Sequence, residues 1–176
     1  MLTIFNLGVG SPGSGASASN SCFHVILWYT YYAVSPVVFW IHKGFDDMEN
    51  ISDLIPRSKF DTSGIERLKV INITEAEPIL GDLLEWLQDI NWPVAKELFY
   101  VLPRFEKNLV PHIRTVFNSD DDIWKNWILC MLKTFSPDTV KLLSYEIKGI
   151  ANNPTAGELL EETNKYASDI VQIFQL

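Results

Sequence analysis

Leu84-Glu85-Trp86-Leu87-Gln88-Asp89-Ile90-Asn91-Trp92-Pro93-Val94-Ala95 decides the fold. Leu84, Leu87 and Ile90 continue an apolar stripe that begins at Leu80 and Leu83, with the three- and four-residue spacing of one helix face. Asn91 and Trp92 interrupt the stripe. Pro93 restarts the chain at a first-turn position, where a missing N–H costs nothing. The stretch is therefore a corner between two helices. Asp120-Asp121-Asp122-Ile123-Trp124-Lys125-Asn126-Trp127-Ile128-Leu129 is a second tryptophan-centred corner about 32 residues later. That period lies in the range of stacked helix-pair repeats.

Working outward, Thr74, Glu75, Glu77 and Pro78 mark the start of the first helix, because acids suit the positive end of a helix dipole. After the corner, Val94, Ala95, Leu98, Val101 and Leu102 form a second run that stops at Pro103. A short third run holds Val110, Ile113, Val116 and Phe117, with Pro111 near its start. Asn118-Ser119-Asp120 offers cap side chains for a fourth helix, from about 121 to 135. Its stripe is Trp124, Trp127, Ile128, Met131, Leu132 and Phe135. Ile123, Leu129 and Cys130 widen it almost all round, so it is expected to be the most buried. Ser136-Pro137-Asp138 opens the fifth, with a seam of Val140, Leu143, Ile147 and Ile150, and Asn152-Asn153-Pro154 ends it. The last uses Leu159, Leu160, Thr163, Ala167, Ile170 and Phe174. The pattern predicts an all-α chain of about six helices, joined by short turns and stacked as antiparallel hairpins.

The two ends of the chain differ in charge. Residues 1–42 contain no Asp, Glu, Lys or Arg, whereas residues 48–176 hold 13 basic and 20 acidic side chains. The expected organisation is a charge-free extension over 1–47, poorly packed, and a helical domain over 48–176. Residues 22–41 are long enough to span a bilayer, but Pro36 and the many Tyr and Trp side chains weaken a membrane anchor. The other options are an extension that is disordered or not native, and one that packs on the domain. Gly8, Gly10 and Gly13 spell G-x-G-x-x-G, but Pro12 disfavours the required helix and no acid follows at the right distance. The net charge of −8, with basic residues scattered singly, argues against nucleic acid as a partner. Cys22 and Cys130 lie far apart, and Cys130 in an apolar helix is expected to be a reduced core thiol in a cytoplasmic protein.

A resemblance covers about residues 54–174. Its residues are Leu54-Ile55-Pro56 with Lys59 and Asp61, the Glu85–Ala95 corner, Pro111-His112-Ile113, Asp121–Lys125 with Trp127, and Ile150-Ala151-Asn152-Asn153-Pro154-Thr155. In order and spacing they resemble the family known as domain of unknown function 5071. The resemblance implies a small HEAT-like stack of helical hairpins. It brings no activity and no catalytic residues.

The residues themselves point to no catalytic constellation, metal site or cofactor. Asp120, Asp121 and Asp122 lack the spacing and glycine of a calcium loop and fit a helix cap. His112, the one histidine after residue 47, has no nucleophile beside it. Asn50-Ile51-Ser52 and Asn72-Ile73-Thr74 match the glycosylation sequon but have no secretion signal to support them. Trp86 and Trp127 are expected in the core. Trp92 and Trp124 open helices at matching points, with Asp89 and Asp121 three residues before each. These four are the candidate binding ridge, because Trp anchors interfaces well. The expectation is a non-enzymatic module that binds a protein or peptide. The rivals are a small enzyme converging on His112 and a membrane-anchored adaptor using residues 22–41.

Overall fold

The structure, a computed structural model, describes residues 50–176. The 1–47 extension, its apolar segment 22–41, the Gly8–Gly13 motif and Cys22 lie outside the described residues. Among the described residues every regular element is helical, ten α-helices and four 3-10 turns with no strand. No helix among them is long and apolar enough to cross a membrane.

A 3-10 turn, Ile51–Leu54, opens the described chain under Asn50, whose Oδ1 accepts the Ser52 N–H. Helix α1 follows at Ile65–Val70. Helix α2 (Ile73–Ala76) begins under Asn72, whose Oδ1 accepts the Thr74 N–H at 2.9 Å. The cap is thus two residues ahead of the predicted Thr74, and both sequon asparagines serve as N-caps. The single helix expected over 75–90 is segmented. A 3-10 turn at Glu77–Ile79 carries Pro78, then come α3 (Leu80–Glu85) and a second 3-10 turn, Trp86–Gln88.

Helix α4 (Pro93–Val101) starts on Pro93 as predicted, and a 3-10 turn at Leu102–Phe105 takes up Pro103. Helix α5 (Glu106–Phe117) begins a turn earlier than the apolar run suggests and carries Pro111 inside. Then follow α6 (Asp122–Leu132), α7 (Pro137–Lys141), α8 (Ser144–Asn152), α9 (Ala156–Leu160) and α10 (Thr163–Phe174). The count differs from six because α1 forms ahead of the first predicted run and because predicted helices break at Pro78, at Leu142-Leu143 and at Glu162, each without a glycine to announce it.

The core follows the stripes. Leu80, Leu83, Leu84, Leu87, Val94, Ala95, Leu98, Ile128, Leu129 and Leu132 are all fully buried. Each such leucine or isoleucine contributes about 1.5–3 kcal/mol of transfer free energy. Helix α10 packs along α8 and α6, α3 packs on α5, and the Trp86–Gln88 turn packs against both α4 and α6. Helix α6 was expected to be the most buried, but it buries six of its 11 residues against five of nine in α4, and Ile123 is 50% exposed.

Three expectations are corrected. Trp86 and Trp127 are half-buried rather than core; Trp86 stands edge-on to Trp92 at 5.5 Å between centroids, so its ring fills a corner and not the interior. Leu159 and Leu160, read as part of the last seam, are 56% and 80% exposed. The cause is Glu162, which sits in the left-handed region at φ 58°. It ends the α9 turn and resets the helix, so that only Thr163, Ala167 and Ile170 face inward. Cys130 is buried, but it is not a free thiol, which corrects the reduced-thiol expectation.

Candidate functional site: an acidic groove beside a buried lysine

Helix α6 carries a charge where its neighbours are apolar. Lys125 is 3% exposed. Its Nζ donates to Asp122 Oδ1 at 2.8 Å and to Glu158 Oε1 at 2.8 Å. Asp122 is one turn earlier on the same helix, whereas Glu158 comes from α9. Glu158 is itself fixed by a capping box: its Oε2 accepts the Thr155 N–H at 2.8 Å and its own N–H donates to Thr155 Oγ1 at 3.1 Å. Burial pushes Glu158 up, but the Lys125 ammonium and the Thr155 donors outweigh it and hold the carboxyl below its ordinary value. Burial likewise pushes Lys125 down, and the two carboxylates outweigh it, so the ammonium is held above its ordinary value. A lysine locked in this way is charged, hydrogen-bonded and no nucleophile.

Further contacts tie α6 to the same region. The Thr163 hydroxyl donates to the Asp122 carbonyl at 3.4 Å, and Asn126 Nδ2 donates to the Glu161 carbonyl at 2.9 Å. Gly157 lies against Asp122, and a Cβ there would collide with the Asp122 carboxylate. Close approach explains this glycine.

Beside the triad is an open groove of about 500 Å³. Asp120, Asp121 and Ile123 line one side from the start of α6. Gly157, Leu160 and Glu161 line it from α9. Ile123 is 50% exposed and Leu160 80%. None of the ion pairs among the described residues uses Asp120, Asp121 or Glu161. No group of three His, Cys, Asp or Glu side chains among the described residues is placed to hold a metal.

The four ridge candidates do similar local work in two places. Asp121 is the N-cap of α6, its Oδ1 accepting the Trp124 N–H at 2.8 Å. Asp89 closes the preceding corner, its Oδ1 accepting the Asn91 N–H at 2.9 Å and its carbonyl accepting the Trp92 N–H at 3.1 Å. Trp92 leans on Trp86. Trp124 is half-buried, and its Nε1 is buried with no hydrogen-bond partner. Of the four, only Asp121 lines the groove.

His112 is half-buried on α5 and packs against α3, where its Nδ1 lies 3.0 Å from the position a Cβ on Gly81 would take. It does not line the groove. Sequence reading missed Lys125, Glu158 and Leu160. The Thr155-x-x-Glu158 spacing is a capping-box signature and would have found Glu158. Lys125 inside a helix apolar almost all round was the sign of a buried ion pair.

The sequence pattern of the family described as domain of unknown function (DUF5071) matches residues 54–171, and the chain belongs to that family. No curated protein matches it.

Proposed function

We propose that this member of the family is a non-enzymatic interaction module, built as a HEAT-like stack of helical hairpins, that binds another protein or a peptide. The observation that supports this best is the groove between α6 and α9. There an 80% exposed leucine stands beside carboxylates that no described cation neutralises. Large apolar side chains held out of the core in this way are typical of contact surfaces. The proposed ridge of Asp89, Trp92, Asp121 and Trp124 meets this surface at Asp121.

The enzyme alternative has less support. The locked charge of Lys125 and the packing of His112 on Gly81 give each a structural role.

A photo-crosslinking residue placed at Trp92 in one variant and at Leu160 in another, in cells producing the full chain, tests the proposal. The expected result is a discrete protein adduct from at least one position, competed away by excess unmodified chain. Absence of any competable adduct from both positions overturns it. So does a turnover of the purified chain that His112→Ala removes without loss of folding.

A further inference from the structure

We propose that the α6–α9 groove binds a segment in which Lys or Arg side chains flank an aliphatic or aromatic anchor; this rests on the interaction-module proposal above. The groove has two kinds of surface. Ile123 and Leu160 supply an apolar contact that is half or more exposed in the free chain. Asp120, Asp121 and Glu161 supply carboxylates around it with no ion-pair partner among the described residues. Covering the aliphatic side chains removes apolar area from water, and cationic side chains on the same segment meet the carboxylates.

Two further facts narrow the occupant. The acids do not converge on a point where a metal would sit, so their charges suit cations spread along a chain rather than a single ion. Asp122 and Glu158 are already satisfied by Lys125. The ion triad therefore stiffens the wall of the groove, and the carboxylates left for a ligand are the outer ones. The chain carries a net −8, which steers a basic segment towards it and repels an acidic one. Because the carboxylates are at the rim, binding weakens as salt rises.

The test uses the full chain and two labelled synthetic peptides read by fluorescence anisotropy: an amphipathic Lys/Leu peptide, and the same peptide with Glu for every Lys. The Lys/Leu peptide is expected to bind saturably and at least about tenfold tighter than its acidic counterpart. Asp120→Asn with Glu161→Gln, and separately Leu160→Ser, are each expected to weaken it by about tenfold. Glu66→Gln with Glu75→Gln, on α1 and α2, is expected to leave it unchanged. All five sites are solvent-exposed, and thermal melts of the variants confirm folding. Equal affinity for both peptides, equal losses in groove and control variants, or no binding of either peptide overturns the proposal. A competable adduct at Trp92 together with undiminished binding in the groove variants also overturns it, and leaves the interaction module standing.

Discussion

Replacing Lys125 by Met keeps an unbranched side chain only one atom shorter and removes its charge. Two carboxylates then face the same buried space without a cation, Asp122 with 11% and Glu158 with 5% side-chain exposure. Breaking a buried ion pair by removing one partner costs about 3–5 kcal/mol, because an uncompensated charge is left behind. The capping box still holds Glu158 through Thr155, so the lower half of that range is expected. Urea unfolding of the full chain, followed by its helical circular dichroism, reads the loss.

The dependence on pH has a definite sign. In the wild type, Glu158 is held below its ordinary 4.5. Its contribution is fully present above that unfolded value and is lost as pH falls through the lower folded one. In Lys125→Met the Thr155 donors remain but the ammonium no longer opposes burial, so Glu158 rises relative to the wild type and protonation relieves the variant first. The gap between the two proteins should therefore narrow from pH 7 towards pH 4. A loss below about 1 kcal/mol, or a gap that widens on acidification, would refute the idea that the triad is a buried, charge-compensated clasp.

Glu106→Ala should cost about 2–3 kcal/mol, since Glu106 accepts from Ser136 N, Ser136 Oγ and Thr139 Oγ1 at 2.9, 2.6 and 2.7 Å and Thr139 is fully buried. Burial pushes Glu106 up, but these donors outweigh it and hold it below 4.5. The penalty, read by urea unfolding, should thus fade as pH drops through that lower value. Gly157→Ala drives a methyl into the Asp122 carboxylate and should cost about 1–3 kcal/mol; a neutral thermal melt would contradict the close approach. Trp124→Phe removes a buried N–H that has no partner and should change stability by less than about 1 kcal/mol, whereas a larger loss by calorimetry would mean that the indole nitrogen is satisfied.

The helical class and the position of α4 were legible because apolar spacing and Pro93 are local signals. The start of α6 was legible to within a residue for the same reason: the expected cap was Asn118-Ser119-Asp120, and the cap is Asp121, whose hydrogen bond spans three residues. What was not legible depends on contacts across the chain. Glu106 reaches 30 residues to hold the start of α7 at Ser136, whose own side chain makes no cap hydrogen bond. Lys125 reaches 33 residues to Glu158.

The last seam was misread for a backbone reason. A left-handed residue between helices is normally announced by Gly or Asn, and here it is Glu162. The periodic pattern therefore runs on through a break, and Leu159 and Leu160 look like core. The same misreading hid the groove, because Leu160 is the residue that gives it an apolar side. Trp127 was misplaced because periodicity assigns a face but does not say how deeply that face is covered.

The central claim is that the face between α6 and α9 is where this domain meets another chain. It is tested most directly by nuclear magnetic resonance titration of the full chain, labelled at Ile and Leu methyls and Trp indoles, with the Lys/Leu peptide. The account predicts saturable shifts of the Ile123 and Leu160 methyls, with the Ile123 shift needing about tenfold more peptide in Leu160→Ser, while core methyls such as Leu80 stay in place. Shifts confined to other faces, or unchanged Ile123 and Leu160 methyls at saturating peptide, would contradict it.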